Sequence, residues 1–556
     1  MPQLGGPVGV NGYTGLTQQV RLILESTSGE QLLLPATAGA ATMSLTTQPD
    51  VAFTTTTGCQ LHFYIIGNPT AGTIVIVGTN AAGGAQTSQT YHIDPAPQNA
   101  QGYSEFTTTE VWQAVTAASI TLTTLTPCQI MVFGSPAGKY LLPMTADAEE
   151  KIAKHSPPDK RGILFKNLRV TQLTKSVSLD KFDADLYPDS LWALYMLITN
   201  NPTVTTVPAT PTTLLAVTLK AATMTLTTAP VKPGEFLIFA ITGNTAAGTI
   251  VLSGTDQYGN VAIETLIASS AATQTLYSSK RYSALTAPGA NQFTTTGLTG
   301  SSIAVTGVYA WTYTGIYDGL TNLGLSSASL EIWDGVIPVK LPYTILTDGT
   351  FDWQKEKEVL FTGKGEAQDY LILGDPNPTT YPAGTNNFAT LAQPTSLPMV
   401  SWPGSYYIDA LPGTPGTTAD GSLTAFKLHL STGQKFYYVG DGMQRPSDVT
   451  RTAEPDWTLD ATLIFQSYQY YLNYFKPNQK IALQAAFQGA LLGSIGSTTY
   501  YENWTWTLPG KINTWKPDMS KNPVEVVANI MSEYDFGLGY AYKLAITCQV
   551  PPTYTS

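Results

Sequence analysis

Short runs of Val, Ile, Leu, Phe and Thr recur along the whole chain, cut by Gly, Asn, Pro and Ala-Gly turns. That pattern predicts β-strands joined by tight connections. In the C-terminal part, residues 457–465, 480–487, 500–508 and 540–548 read as long strands. Residues 426–430 and 435–439 flank Ser431-Thr432-Gly433-Gln434 and predict a hairpin. Helical spacing occurs in few places. Over 189–200, Leu191, Leu194, Tyr195 and Ile198 fall on one face, with Asp189 placed to cap. Over 523–535, Pro523 suits a first helical position and Glu525 a capping box with Asn522. Val527, Ile530, Met531 and Tyr534 would form its apolar stripe, and Gly537 would end it. A third candidate, 146–155, rests on Asp147, Glu149 and Glu150 favouring its N-terminal end.

An internal repeat organises the chain. Gly67-Asn68, Ala71-Gly72-Thr73-Ile74-Val75 and Gly78-Thr79 return as Gly243-Asn244, Ala247-Gly248-Thr249-Ile250-Val251 and Gly254-Thr255. Upstream, Ala40-Ala41-Thr42-Met43 with Leu45 returns as Ala221-Ala222-Thr223-Met224 with Leu226. Downstream, Trp112, Ala114 and Thr116 match Tyr282, Ala284 and Thr286. The two copies, residues 36–134 and 216–308, each have the strand-and-turn pattern of an immunoglobulin-like β-sandwich. Cys59 and Cys128 have no counterparts in the second copy, so the immunoglobulin disulfide pattern is absent. Around the modules the expected divisions are an N-terminal segment 1–35 and body parts 135–215, 309–373 and 422–556. Between the last two lies 374–421, rich in Pro, Gly, Thr and Asn and too long for a passive connection. It is expected to be disordered or to order against a neighbouring subunit.

Composition sharpens this picture. Charged residues make up 12% of the 556 positions, about half of the roughly 25% in an average soluble protein. Thr, Ala, Gly, Ser and Tyr take their place, and a surface of hydroxyls and amides suits subunit contacts. The net charge of −11 and the lack of a Lys/Arg cluster argue against non-specific nucleic-acid binding. The N-terminus reads as no signal peptide, and no apolar run is long enough to span a membrane.

The search for chemistry yields no catalytic, metal or cofactor residues. His62, His92, His155 and His429 are scattered, with His62 and His429 expected to face solvent from strands. Asp180, Asp183, Asp185 and Asp189 lack the Gly and terminal Glu of a calcium loop and are expected in a solvated loop. Gly363-Lys364-Gly365 reads as a turn. Tyr468, Tyr470, Tyr471, Tyr474 and Phe475 are read as an assembly contact or a core under a loop, with a sugar-binding surface as the other possibility.

The order of elements over 422–556 resembles a tailed-phage major tail (tail tube) protein. The residues that carry the likeness are Glu454-Pro455-Asp456-Trp457-Thr458-Leu459, Leu463-Ile464-Phe465-Gln466, Ile481-Ala482-Leu483-Gln484 and Trp504-Thr505-Trp506-Thr507-Leu508-Pro509-Gly510. The resemblance implies a mainly β fold: a tail-tube-like β-sandwich or half-barrel body with a flanking helix, carrying two immunoglobulin-like β-sandwich modules. It implies a non-enzymatic virion protein, made in the host cytoplasm, that needs no cofactor. Its partners would be itself, in stacked homotrimeric or homohexameric rings, and other tail proteins such as terminator and tape measure. DNA would pass through the lumen without specific binding, and no membrane would be involved. Two other functions fit the residues: a tail-tip or fibre adhesin for host glycans, and a capsid-decoration or surface-layer lattice protein.

Overall fold

The computed structural model describes residues 19–552 apart from 25–30, 41, 47, 49–58, 67–71, 81–84, 94–102, 109–111, 117–119, 124–127, 136–138, 143, 156–170, 200, 231–232, 247, 269–271, 319–324, 326–327, 334–337, 355–356, 373–397, 400–403, 438–447, 452, 466–469 and 496. The fold is mainly β, built of antiparallel sandwiches, with one short helix and a single π-type turn among the described residues.

The repeat is a structural duplication. In both copies the same strand runs beside the same partner: Gly78, Thr79 and Asn80 lie opposite Val115, Ala114 and Trp112, and Gly254, Thr255 and Asp256 lie opposite Leu285, Ala284 and Tyr282. The shared glycine has a physical cause. A Cβ on Gly78 would sit 2.1 Å from the Ala114 carbonyl oxygen, and one on Gly254 would sit 2.0 Å from that of Ala284. Met43 and Met224, Ile74 and Ile250, and Trp112 and Tyr282 fill equivalent buried positions.

Strand order in the modules refines the sequence expectation. In the second module Thr212–Leu219, Ser302–Val308, Glu235–Thr242 and Thr273–Leu285 form one sheet in that order. Thr223–Thr225, Gln292–Thr296, Gly248–Asp256 and Val261–Ala268 form the other. Numbered along the module, the sheets run 1-8-3-6 and 2-7-4-5. The first module pairs its strands in the same way. Both modules are sandwiches, as the sequence predicted; the order is that of a double Greek-key jelly roll, where an immunoglobulin order was expected.

The body is a larger sandwich. One sheet orders Thr203–Val207, Ala310–Tyr317, Tyr542–Cys548, the first half of Thr498–Asp518, Ile481–Ile495 and Ser405–Ala410. The other orders the second half of Thr498–Asp518, Glu525–Ser532, Asp456–Ile464, Leu423–Ser431, Pro338–Gln354, Leu360–Ala367, Thr171–Asp185 and Met144–His155. Thr498–Asp518 belongs to both sheets, so the pairing runs almost continuously round the sandwich. It turns the corner at Gly510, which pairs with Ile481 on one side and Ser532 on the other. A Cβ there would lie 2.2 Å from the Met531 carbonyl oxygen. A side-chain-free residue is required at this corner.

Aromatic rings fill the space between the sheets. Trp353 packs on Tyr406 at 4.6 Å and Phe426 at 5.4 Å, and Trp457 stacks on Tyr542 at 3.8 Å. The helix Trp192–Leu197, buried at every position, plugs one end through Trp192 against Phe182 and Phe361. It lies within the predicted 189–200, but no side chain caps it. The second module docks on this body through Phe236 against Trp311 at 4.8 Å and through buried Arg281. Arg281 donates to the carbonyl oxygens of Gly234 and Leu492 and to Gln549 Oε1 at 3.3 Å. Gln549 in turn donates to Glu502 Oε1 at 2.8 Å.

Several expectations are overturned. Residues 523–535 are not a helix; Glu525–Ser532 is a strand, with Val526, Ala528 and Ile530 buried and Val527 and Met531 exposed. That alternation has period two, and partners on both sides fix it. Residues 146–155 are likewise part of the strand Met144–His155. The expected hairpin does not form: Leu423–Ser431 pairs with Asp456–Ile464 and Pro338–Gln354, whereas Gln434–Tyr437 pairs with Asp448–Arg451. In the 374–421 stretch, 374–397 and 400–403 lie outside the described residues. The remainder from 404 folds into its own chain, Ser405–Ala410 as an edge strand with 416–420 returning along it.

Candidate assembly surface

Alternation along the strands assigns every side chain of the first body sheet to one of two faces. In Thr498–Asp518, Glu502, Trp504 and Trp506 point into the core, so Tyr501, Asn503 and Thr505 point out. In Tyr542–Cys548, Tyr542, Leu544, Ile546 and Cys548 are buried and Thr547 faces out. Cross-strand registers then align outward residues into rows. One row is Thr205, Thr312, Thr547, Asn503 and Gln488. The next is Thr203, Thr314, Ala545, Thr505, Ala486 and Ser405. A third contains Thr507, Gln484 and Tyr407, with Lys543 beside Thr507.

The first row, with Thr505, Ala486 and Ser405 of the second, lines a concavity of about 640 Å³ together with Tyr407, Tyr500 and Tyr501. None of its lining residues is charged. Thr312 and Thr547 share a hydroxyl–hydroxyl hydrogen bond of 2.8 Å. The other hydroxyls and amides can each donate and accept. A surface of this kind can be covered by another polar surface without stranding a charge, which is the costly event in desolvation.

The far edge of this sheet is closed by the chain itself. The Ile408 N–H donates to the Thr418 carbonyl at 3.1 Å, and the Asp420 N–H to that of Tyr406 at 2.7 Å. Asp409 holds the returning turn: its carboxylate accepts from the N–H groups of Gly416 at 2.7 Å, Thr417 at 3.1 Å and Thr418 at 2.8 Å, and from the Thr417 hydroxyl at 2.6 Å. Burial pushes this carboxyl upward, but the bonds from Thr417 and Thr418 outweigh it and leave its pKa below the ordinary value. Beneath the sheet, burial raises the pKa of Glu502.

In the two body sheets as ordered above, two strands at the ends have a single strand partner among the described residues. Thr203–Val207 pairs only with Ala310–Tyr317, and Met144–His155 only with Thr171–Asp185. The latter pair forms a ribbon. Thr171–Asp185 meets Leu360–Ala367 only from Val177 onward, so its first residues have Met144–His155 as their sole strand partner.

The other residues singled out in the sequence fall elsewhere. His429 faces outward from its strand, as expected, between Thr350 Oγ1 at 3.1 Å and Asp460 Oδ2 at 3.4 Å. His62, His92 and His155 lie in strands whose side chains at those positions are outside the description. Asp180, Asp183 and Asp185 are in the strand Thr171–Asp185, not in a loop, and Asp183 pairs with Lys181 at 2.8 Å. No cluster of His, Cys, Asp or Glu among the described residues could hold a metal ion. Gly363-Lys364-Gly365 is not a turn: it lies in Leu360–Ala367, where a Cβ on Gly365 would meet the Ile345 carbonyl oxygen at 2.1 Å. Tyr470, Tyr474 and Phe475 pack, partly buried, against the body core, while Tyr468 lies outside the described residues. Cys59, Cys128 and Cys548 are buried free thiols. The neutral face itself was missed in the sequence. Its signal was the run of Tyr501, Asn503, Thr505 and Thr507 at every second position of a recognised strand.

No family model matches the chain, and no curated protein matches it. Among solved structures, the N-terminal CBM22-1-CBM22-2 tandem domain from Paenibacillus barcinonensis Xyn10C is similar at 8% identity, over 51% of this chain and 95% of that one, with a TM-score of 0.12. A likeness that slight carries no argument about fold or function.

Proposed function

We propose that the chain is a structural protein that assembles with copies of itself, of the tail-tube kind its C-terminal part resembles. The observation that carries this reading is the wide sheet face with an uncharged concavity. An exposed sheet that meets only water gains solubility from charge; one destined for a contact avoids it. The open edges of Thr203–Val207 and Met144–His155 add a route for strands to join across subunits, which would remove both edges at once. Rings built in this way would stack into a tube, with DNA passing through a lumen of neutral or acidic character.

Electron microscopy of the purified chain over a range of concentrations tests the reading. Rings or tubes are expected; a monodisperse monomer at every concentration would sink it, and a flat lattice would favour the decoration or surface-layer role. A second reading has one specific support. Tyr407, Tyr500 and Tyr501 beside amides and hydroxyls also suit a neutral glycan. Binding of neutral oligosaccharides to the chain, lost on Tyr501→Ala, would favour an adhesin.

A further inference from the structure

The strand Glu525–Ser532 ends at both sides in a turn of the same construction. At one end Asp518 Oδ1 accepts from the Ser520 N–H at 3.0 Å and the Ser520 hydroxyl at 2.6 Å. At the other, Asp535 Oδ1 accepts from the N–H groups of Gly537 and Leu538, both at 3.0 Å. In each turn the residue directly after the aspartate is a large apolar side chain held out in solvent: Met519 is 77% exposed and Phe536 94%.

The Phe536 turn is built to hold its shape. The Gly539 N–H donates to the Asp535 carbonyl at 2.7 Å, and Gly539 adopts φ +77°, a conformation that favours glycine. Asp535 bridges back to Tyr540, and Lys480 lies 3.3 Å from Asp535 Oδ2, with both side chains largely buried. Lys480 also donates to the Tyr534 carbonyl at 2.5 Å, and the Tyr534 ring meets Phe536 edge-on at 5.2 Å. Scattered exposed apolar residues are ordinary on a protein surface. A nearly naked phenyl ring on a turn fixed by a half-hidden ion pair is different, because a pre-ordered aromatic loses little freedom when it docks.

The two turns lie at opposite ends of one strand, roughly 25 Å apart at about 3.3 Å per residue. An apolar projection at each end of one strand fits a head-to-tail contact, which repeats without limit when it does not close. We propose that the Phe536 and Met519 turns form the axial contacts between successive copies of this chain, the step that stacks rings. The occupant of each contact is a second copy of the chain. This rests on the assembly reading and adds to it which residues carry the stacking.

The test uses the full chain as wild type, Phe536→Ser, Phe536→Leu and Met519→Ser, each checked for unchanged circular dichroism and melting. Mean stack length is read by electron microscopy and assembled mass by sedimentation. Both serine variants are expected to shorten stacks at least tenfold while single rings persist, and Phe536→Leu to keep most of the length. Stacks of wild-type length from both serine variants would overturn the inference and leave the assembly reading standing. Loss of single rings as well would also overturn it, because the turns would then not be axial. A wild-type chain that forms no assembly would remove both.

Discussion

The two outer faces of the body sandwich share one core and differ in what they show to solvent. On the sheet containing Leu423–Ser431, outward positions carry ions: Asp352 with Lys427 at 2.9 Å, and Asp460, which lies 3.4 Å from the His429 ring and accepts a 2.7 Å bond from Asn529. Asp348, Lys364 and Asp456 line a concavity of about 410 Å³ on that face. On the opposite sheet the concavity is larger and holds only Thr, Ser, Tyr, Asn, Gln and apolar residues. The backbone is the same kind of antiparallel sheet in both cases. Polar residues are therefore not interchangeable: charge marks a face that meets water, and neutral hydroxyls mark one that can be covered at small cost.

The largest effect should come from what the faces share. Trp353 lies between the sheets, against Tyr406, Phe426 and Phe487, and is 2% exposed. Trp353→Ala should cost about 3–5 kcal/mol, the usual range for removing a buried aromatic. Urea denaturation followed by tryptophan fluorescence measures this. A loss below about 1 kcal/mol would mean that the sheets do not depend on a common core.

The comparison itself is put at risk by adding charge to each face in turn. Thr312→Lys with Asn503→Lys places two ammonium groups in the neutral rows. Assembly should then need roughly 100-fold more protein, about 2.7 kcal/mol of lost association. Thr350→Lys with Thr458→Lys makes the same change on the charged face and should leave the assembly threshold within about twofold, a shift of under 0.5 kcal/mol. Light scattering against concentration reads both. Equal effects from the two pairs would erase the distinction between the faces.

How much of this was visible beforehand depends on where the partner strands lie. The strand in 500–508 was legible because Trp504, Trp506 and Leu508 alternate with Asn503, Thr505 and Thr507. The neutral face was not, because its row joins Thr205, Thr312, Thr547 and Asn503 from distant parts of the chain. The repeat was legible since duplicated glycines and core residues recur in order, but strand order is a long-range property that those blocks do not contain. Residues 146–155 misled through Asp147, Glu149 and Glu150, which would favour the N-terminal end of a helix; pairing with Thr171–Asp185 overrides it. In 523–535 the supposed stripe mixes buried Ile530 with exposed Val527 and Met531, so a short apolar segment satisfied the wrong period.

Acid should act at the edge of the neutral face. Asp409 has a folded pKa below its ordinary value, so the proton binds the unfolded carboxyl more readily than the folded one. Its contribution is complete above the unfolded value, roughly 3.9, and is lost as pH falls through the folded value. Amide exchange of Thr417, Thr418 and Asp420 should therefore quicken below about pH 4, with the rest of the sheet still protected. Asp409→Asn should loosen the same turn at neutral pH by about 1–2 kcal/mol, since the charge-assisted bonds weaken. Exchange that accelerates uniformly across the sheet would show that Asp409 does not hold the turn.

The smallest effect belongs to the charged face, and it is informative for being small. Lys427 and Asp352 have side chains 50% and 31% exposed, so water screens their attraction and the lysine loses rotamer freedom in making it. Lys427→Ala should change stability by about 0–1 kcal/mol, and that change should shrink further in molar salt. If the ions on this face serve contact with water, removing one should also leave the assembly threshold unchanged. A large loss of assembly from Lys427→Ala, reversed by restoring the pair as Asp352→Lys with Lys427→Asp, would show that the charged face meets a partner as well. Charge would then mark a second kind of contact, one that reads sign, and the neutral face would be set apart by tolerating any polar partner.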